Sequence, residues 1–178
     1  MGRFRIAEAG YPYFVTSHIV HWLPVFVQPT TCDIITDSLA FCRSGKNLRV
    51  HAYVIMPTHI HLIVSAEGDL PTVLRDFKRH TSVELVKHYE AIKLPAFHNV
   101  FHYCGARSRH PVESKVWEEG NHPEQIYSRE FFQQKADYIH RNPMRKGLVH
   151  DPLAWRYSSA AAFAGEADGP LEIDWLEW

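Results

Sequence analysis

Hydrophobic and polar positions change period along the chain, and those changes predict most of its elements. Residues 11–20, Tyr-Pro-Tyr-Phe-Val-Thr-Ser-His-Ile-Val, are aromatic and β-branched and predict a strand. After the loop marked by Pro24 and Pro29, Ile34, Ile35, Leu39 and Phe41 recur at roughly helical spacing. They predict a helix over about 33–42, capped by Thr30 or Thr31 and stopped by Gly45-Lys46-Asn47. Residues 48–56 alternate imperfectly and predict a second strand, and Pro57-Thr58 breaks it. Residues 59–64, His-Ile-His-Leu-Ile-Val, predict a third strand that closes an antiparallel hairpin. Leu70, Val73, Leu74, Phe77, Thr81, Leu85 and Tyr89 then predict a long helix over 70–92.

Residues 94–121 carry no clear period; within them Lys115-Val116-Trp117 is the candidate last strand. Ser128 predicts the start of a helix that runs to about Arg141, with Pro143 limiting its end. From Gly147 onward, Trp, Pro and Gly are scattered without period. The order strand, helix, strand, strand, helix, strand, helix predicts an α+β fold of the ferredoxin-like split β-α-β type. Its sheet is expected to be antiparallel, with four to five strands, helices on one face and an additional C-terminal helix.

Composition narrows this picture. The 178 residues suit one domain with a short tail. No apolar run reaches membrane-spanning length, and the first six residues lack a secretory signal, so a cytoplasmic protein is expected. Cys32, Cys42 and Cys104 form no CxxC pair, which argues for reduced thiols and against a zinc cluster. The formal net charge of -1 carries no basic excess, so any nucleic-acid site must come from local clustering of Arg and Lys.

Three features carry candidate chemistry. On a strand, His59 and His61 point to one face and Ile60 to the other, so two imidazoles can hold one divalent cation. On pattern alone the pair reads equally well as ordinary polar residues of a strand face. On a helix, Tyr138 and Asn142 lie one turn apart and share a face. Taken alone, a core tyrosine and a capping asparagine before Pro143 are the commoner explanation. Arg75, Lys78, Arg79 and Lys87 on the long helix can track phosphates, or they can simply form a solvated face.

The run Tyr53-Val54-Ile55-Met56-Pro57-Thr58-His59-Ile60-His61-Leu62-Ile63 resembles the metal-binding signature of the REP-associated tyrosine transposases. These belong to the HUH single-stranded-DNA transposases. The block from Tyr138 to Val149, beginning Tyr-Ile-His-Arg-Asn-Pro, resembles that family's nucleophile helix. Trp155-Arg156-Tyr157-Ser158-Ser159 is similar to its C-terminal Trp-x-x-Ser-Ser segment. The blocks keep the family's order between about residues 13 and 159; Thr58 departs from the family's usual asparagine.

The resemblance implies that residues 1–150 form a catalytic domain and 151–178 a tail packed on or near it. It implies His59, His61 and Asn142 as ligands of Mg2+ or Mn2+, and Tyr138 as the nucleophile. The substrate would be single-stranded or hairpin DNA, nicked and rejoined through a covalent 5′-phosphotyrosine, by a monomer or homodimer. Arg75, Lys78, Arg79, Arg141, Arg145 and Lys146 are the candidate DNA contacts. A phenol is protonated near neutral pH and needs help to lose its proton; His140 and His122 are the candidate bases. Trp117, Phe101 and Tyr103 are candidate base-stacking rings, with Trp117 read as core. Two other classes remain open on these residues: an HxH metal-dependent hydrolase using water, and a non-catalytic nucleic-acid-binding domain.

Overall fold

The computed structural model describes residue 6 and residues 10–166 and 169–177. Four strands, β1 (Tyr13–His18), β2 (Leu48–Met56), β3 (His59–Ala66) and β4 (Glu124–Gln125), form one antiparallel sheet in the order β2-β3-β1-β4. Helices α1 (Pro29–Lys46) and α2 (Leu70–Ala91) intervene, followed by α3 (Pro95–Ala106), α4 (Arg129–Arg145) and the short α5 (Ala160–Phe163). This strand order is that of the expected split β-α-β fold.

The two faces of the sheet have different covers. Val15, Tyr53, Ile55, Ile60, Leu62 and Val64 share one core with Ile35 and Leu39 of α1 and Leu74, Phe77 and Leu85 of α2. Phe14, Ala52, Val54, Met56 and Ile63 form the other core with Phe132, Ala136 and Ile139 of α4. Period two therefore sends Ile60 and Leu62 toward α1 and α2, and places His59 and His61 on the α4 side. The imperfect alternation of β2 has a cause. Its register against β3 slips between Val50 and Ala52, so His51 is an extra, bulged residue and the strand's inward parity changes there.

Several boundaries differ from expectation. The first strand is shorter than residues 11–20, because Val20–Trp22 turns into a 3-10 helix. Helix α1 starts four residues early on Pro29, which suits a first helical turn, and no side chain of Thr30 or Thr31 caps it. It runs through Gly45 and ends where Asn47 takes a left-handed conformation. The fourth strand is not Lys115-Val116-Trp117. That segment makes one isolated bridge, Ile19 to Trp117, and the strand is Glu124–Gln125 opposite Tyr13 and Phe14. Residues 95–106, left unassigned by period, are the helix α3. Helix α4 passes Pro143 and ends at Arg145, because a proline so near the end removes only one hydrogen bond.

Cys32 and Cys42 are buried and unpaired, and burial pushes the Cys32 thiol up to about 12. Among the described residues, no helix is long and apolar enough to cross a membrane.

Candidate metal and nucleophile centre

The β2–β3 hairpin brings His59 and His61 side by side, with ring centroids 4.7 Å apart. Antiparallel pairing sets Thr16 opposite His61 and His18 opposite His59. The imidazoles are then held from behind. His61 Nδ1 is hydrogen-bonded to Thr16 Oγ1 at 2.8 Å, and His59 Nδ1 to Thr58 Oγ1 at 2.9 Å. Thr58, where the resembled family has asparagine, thus still supports the neighbouring histidine. With Nδ1 spent on a hydroxyl, each Nε2 is the atom left to face the site.

Both imidazoles are buried and stay neutral. Burial, then the neighbouring His18 and Lys146, lowers His59 to about 4. Burial, then His59, His18 and Lys135, lowers His61 to about 3. Neutral imidazole is the form that ligates a metal.

Helix α4 completes the centre. Its N-cap Ser128 accepts from the Phe131 N–H, and its buried stripe of Phe132, Ala136 and Ile139 seats it on the sheet. That seating turns Tyr138 toward β3, with its ring 5.3 Å from His61 and 6.0 Å from Phe14. The Tyr138 side chain is 38% exposed, so an external molecule can reach it. Asn142, one turn on, is buried.

Among the described residues, two buried side-chain polar atoms lack a hydrogen-bond partner: His61 Nε2 and Asn142 Oδ1. Buried polar groups are nearly always satisfied, and each orphan costs about 1–3 kcal/mol. A nitrogen lone pair and an amide oxygen left bare beside each other's elements make a donor set that fits a divalent cation. Two members of the ligand set that the resemblance implied, His61 and Asn142, thus carry unpartnered donor atoms, and the third, His59, has its ring beside that of His61.

The basic candidates divide between two places. Arg141, Arg145 and Lys146 are exposed along α4, and the Arg145 guanidinium lies 5.5 Å over the Tyr138 ring. Arg141, Arg145, Lys135 and Tyr138 line a groove of about 310 Å³. Arg75 and Arg79 border a separate groove beside α2 and are drawn to Asp76, at 3.4 and 3.6 Å. Lys78 is half-buried and donates to the Glu118 and Gly120 carbonyls at 3.3 and 2.8 Å, so its ammonium is engaged by the backbone.

The proposed base His140 does not face Tyr138's neighbours on the sheet. It is buried, hydrogen-bonded to Ser159 Oγ at 2.8 Å, and packed on Phe163. His122 instead acts on His18, whose imidazole is lowered by burial and then by His122 and Lys78. Trp117 is core, donating from Nε1 to Thr81 Oγ1 at 3.0 Å; Phe101 is fully buried and Tyr103 exposed.

Sequence reasoning passed over three neighbours of the centre: Thr16, His18 and Trp22. The period-two run Phe14, Thr16, His18 was the available signal, but it needed the β1–β3 register to place it. Trp22 stands at the rim, 58% exposed, with its ring 4.3 Å from His18 and 5.9 Å from His59. It and His21 hold left-handed backbones, φ 55 and 53, which cost of order 1–3 kcal/mol each and mark a constrained turn.

No family model and no curated protein matches the chain. Among solved structures, it is similar to a REP-associated tyrosine transposase bound to a REP hairpin, at 18% identity and a TM-score of 0.67. That match covers 100% of this chain and 95% of the other. A putative transposase from Deinococcus radiodurans R1 matches at 17% identity and a TM-score of 0.47, over 79% of this chain and 97% of that one. Taken with the strand order and the helix seated on the far face, the first match shows that this chain has the fold of a REP-associated tyrosine transposase.

Proposed function

We propose that the protein is a metal-dependent single-strand DNA endonuclease and transposase that nicks and rejoins hairpin or repeat DNA in the cytoplasm. The observation that carries this reading is the pair of orphaned buried atoms, His61 Nε2 and Asn142 Oδ1, with the accessible Tyr138 ring 5.3 Å from the His61 ring and one helical turn before Asn142. The similar structure was bound to a REP hairpin, which supports the same substrate class here. In this reading residues 1–150 are the catalytic unit and 151–178 its cover, with residues 1–5, 7–9, 167–168 and 178 outside the described set.

His59, His61 and Asn142 would hold Mg2+ or Mn2+, and imidazole donors favour the latter. Bound there, the cation would polarise the scissile phosphate and ease loss of the phenol proton. Tyr138 Oη attacks phosphorus; the bond from phosphorus to the 3′ oxygen breaks, and that oxygen leaves as a 3′-hydroxyl after gaining a proton. The 5′ end stays on Tyr138 as a phosphodiester, so a second 3′-hydroxyl can attack it, restore the DNA and release the phenol. Arg141, Arg145 and Lys146 supply phosphate contacts close to Tyr138, and Arg75 and Arg79 a separate basic stretch. Trp22 offers a face for an unpaired base at the rim.

The test is incubation of labelled hairpin oligonucleotides with the protein and Mn2+. A protein–DNA adduct mapping to Tyr138, absent in EDTA and in Tyr138→Phe, is the expected result. Cleavage that survives in Tyr138→Phe transfers the chemistry to water, and binding without any cleavage reduces the protein to a DNA-binding domain.

A further inference from the structure

A second group of metal-binding side chains lies away from that centre, where α2 turns into α3. Glu90 is in the last turn of α2, and His98 and His102 lie one turn apart on α3. One ligand atom from each lies within 4.8 Å of the other two. Lys93, in a left-handed conformation at φ 54, makes the reversal, and Leu94 N donates to Tyr89 O at 3.1 Å. The Phe97 ring stacks on Tyr89 with centroids 4.5 Å apart, which fixes α3 against α2. The three side chains thus project from a corner that apolar packing already holds in place.

Their contacts are over-subscribed at one atom. His98 Nε2 is 2.8 Å from Glu90 Oε1 and also 2.9 Å from His102 Nε2. A ring nitrogen has one hydrogen or one lone pair, so it serves only one of these partners at a time. A cation placed among them serves all three, since both imidazoles then offer lone pairs and the carboxylate its charge. Tetrahedral zinc, with bonds of about 2.0–2.1 Å, sets its ligand atoms roughly 3.3 Å apart. The two spacings at His98, 2.8 and 2.9 Å, reach that by opening a few tenths of an ångström, and the third, between Glu90 and His102, already lies within 4.8 Å.

We propose that Glu90, His98 and His102 form a surface site for a borderline divalent metal, Zn2+ being the best fit, with water in the fourth position. Two nitrogens and one oxygen select zinc, nickel, copper or cobalt over magnesium. The site pins α3 to the end of α2. It stands independently of the His59–His61 centre, which uses other elements on the opposite side of the sheet.

The experiment is calorimetric titration of the EDTA-stripped full chain with Zn2+, in wild type and in His98→Gln/His102→Gln. These two side chains are partly exposed and outside the core, so the variant keeps the fold. The expected result is loss of one zinc equivalent in the variant, and a Kd for that equivalent raised by roughly tenfold or more in Glu90→Gln. In wild type, the ring-nitrogen NMR signals of His98 and His102 should shift on adding zinc. Unchanged stoichiometry and affinity in the double variant, or no shift of those two imidazoles, overturns the proposal. If the double variant binds no zinc at all, the α2–α3 site stands and the metal role of His59 and His61 fails.

Discussion

At the residue scale, the two orphaned atoms make a measurable claim. Asn142 Oδ1 is a buried acceptor without a donor, an arrangement that penalises the metal-free protein by about 1–3 kcal/mol. Replacing Asn142 with leucine, of similar volume, removes that acceptor. In EDTA, Asn142→Leu should unfold in urea at the wild-type concentration or above it, while Mn2+ no longer raises its melting temperature as it does for wild type. A loss of several kcal/mol in EDTA would show that the oxygen is satisfied after all. His140 makes a second claim. Burial lowers it to about 4 in the folded chain from 6.5, so between these values the unfolded chain takes up a proton that the folded one refuses. Stability held above pH 6.5 is therefore lost as the pH falls toward 4. His140→Gln, still able to bond Ser159, should flatten that slope by about 1.4 kcal/mol per pH unit, read from urea unfolding at intervals between the two values. A slope equal to wild type means that His140 is not the residue charging. The partnership of His59 and His61 was legible in sequence because strands repeat every two residues. The support from Thr16 and His18 was not, since it depends on which residue of β1 faces which residue of β3.

At the scale of elements, legibility followed the strength of the local signal. Helix α2 was readable almost to the residue because six apolar positions and Thr81 keep one buried face. Helix α3 was hidden: Pro95, Gly105 and three histidine or tyrosine positions dilute its period, and only Phe101 and Gly105 are buried. Strand β4 has two residues, too few to make a pattern, and is defined by its partners Tyr13 and Phe14. Beyond Phe101 and the Phe97–Tyr89 stack, α3 is secured by close approach at Gly105 rather than by a broad apolar face. A Cβ placed on Gly105 would come within 2.5 Å of Val112 O and 2.9 Å of Ser114 Cα, both rigid backbone. Gly105→Ala should therefore cost about 1–3 kcal/mol, as overpacking does, although alanine is the better helix former. Amide exchange should quicken over residues 95–117, since Lys115 N and Phe101 O bond this segment to the helix. A variant as stable as wild type would mean that the 112–114 loop shifts freely, and that α3 is held by its contacts with Tyr89 alone.

At the scale of the molecule, the sheet has an exposed-edge problem that the C-terminal segment answers. Strand β2 lies at the end of the order β2-β3-β1-β4, so one row of its backbone groups would otherwise face outward. Tyr157, Ser159 and Asp174 occupy that row. Ile55 N donates to Tyr157 O, Ser159 N to Tyr53 O, and Asp174 N to Val50 O, at 2.9, 3.0 and 2.7 Å. Asp174 then locks the end: Arg43 Nε and a terminal guanidinium nitrogen each reach its carboxylate at 2.9 Å, and Val50 N donates to it at 2.8 Å. Burial opposes its charge, yet the Arg43 and Val50 hydrogen bonds hold Asp174 below the usual carboxylate range. Leu171 and Ile173 enter the α1–α2 core beside it. The lack of period after Gly147 concealed all of this, because an edge-covering strap needs hydrogen bonds and two anchors rather than an amphipathic face. Deleting residues 170–178 removes two buried aliphatic side chains, about 1.5–3 kcal/mol each, and the carboxylate lock. Against a typical total of roughly 5–15 kcal/mol, that loss should lower the urea midpoint sharply and leave β2 open to pair with another chain. Light scattering at rising protein concentration would separate the two effects. Asp174→Asn, which keeps the strap but weakens its lock, should lower the midpoint without aggregation, whereas the deletion should do both. A truncated chain that remains monomeric with an unchanged midpoint would mean that β2 needs no cover.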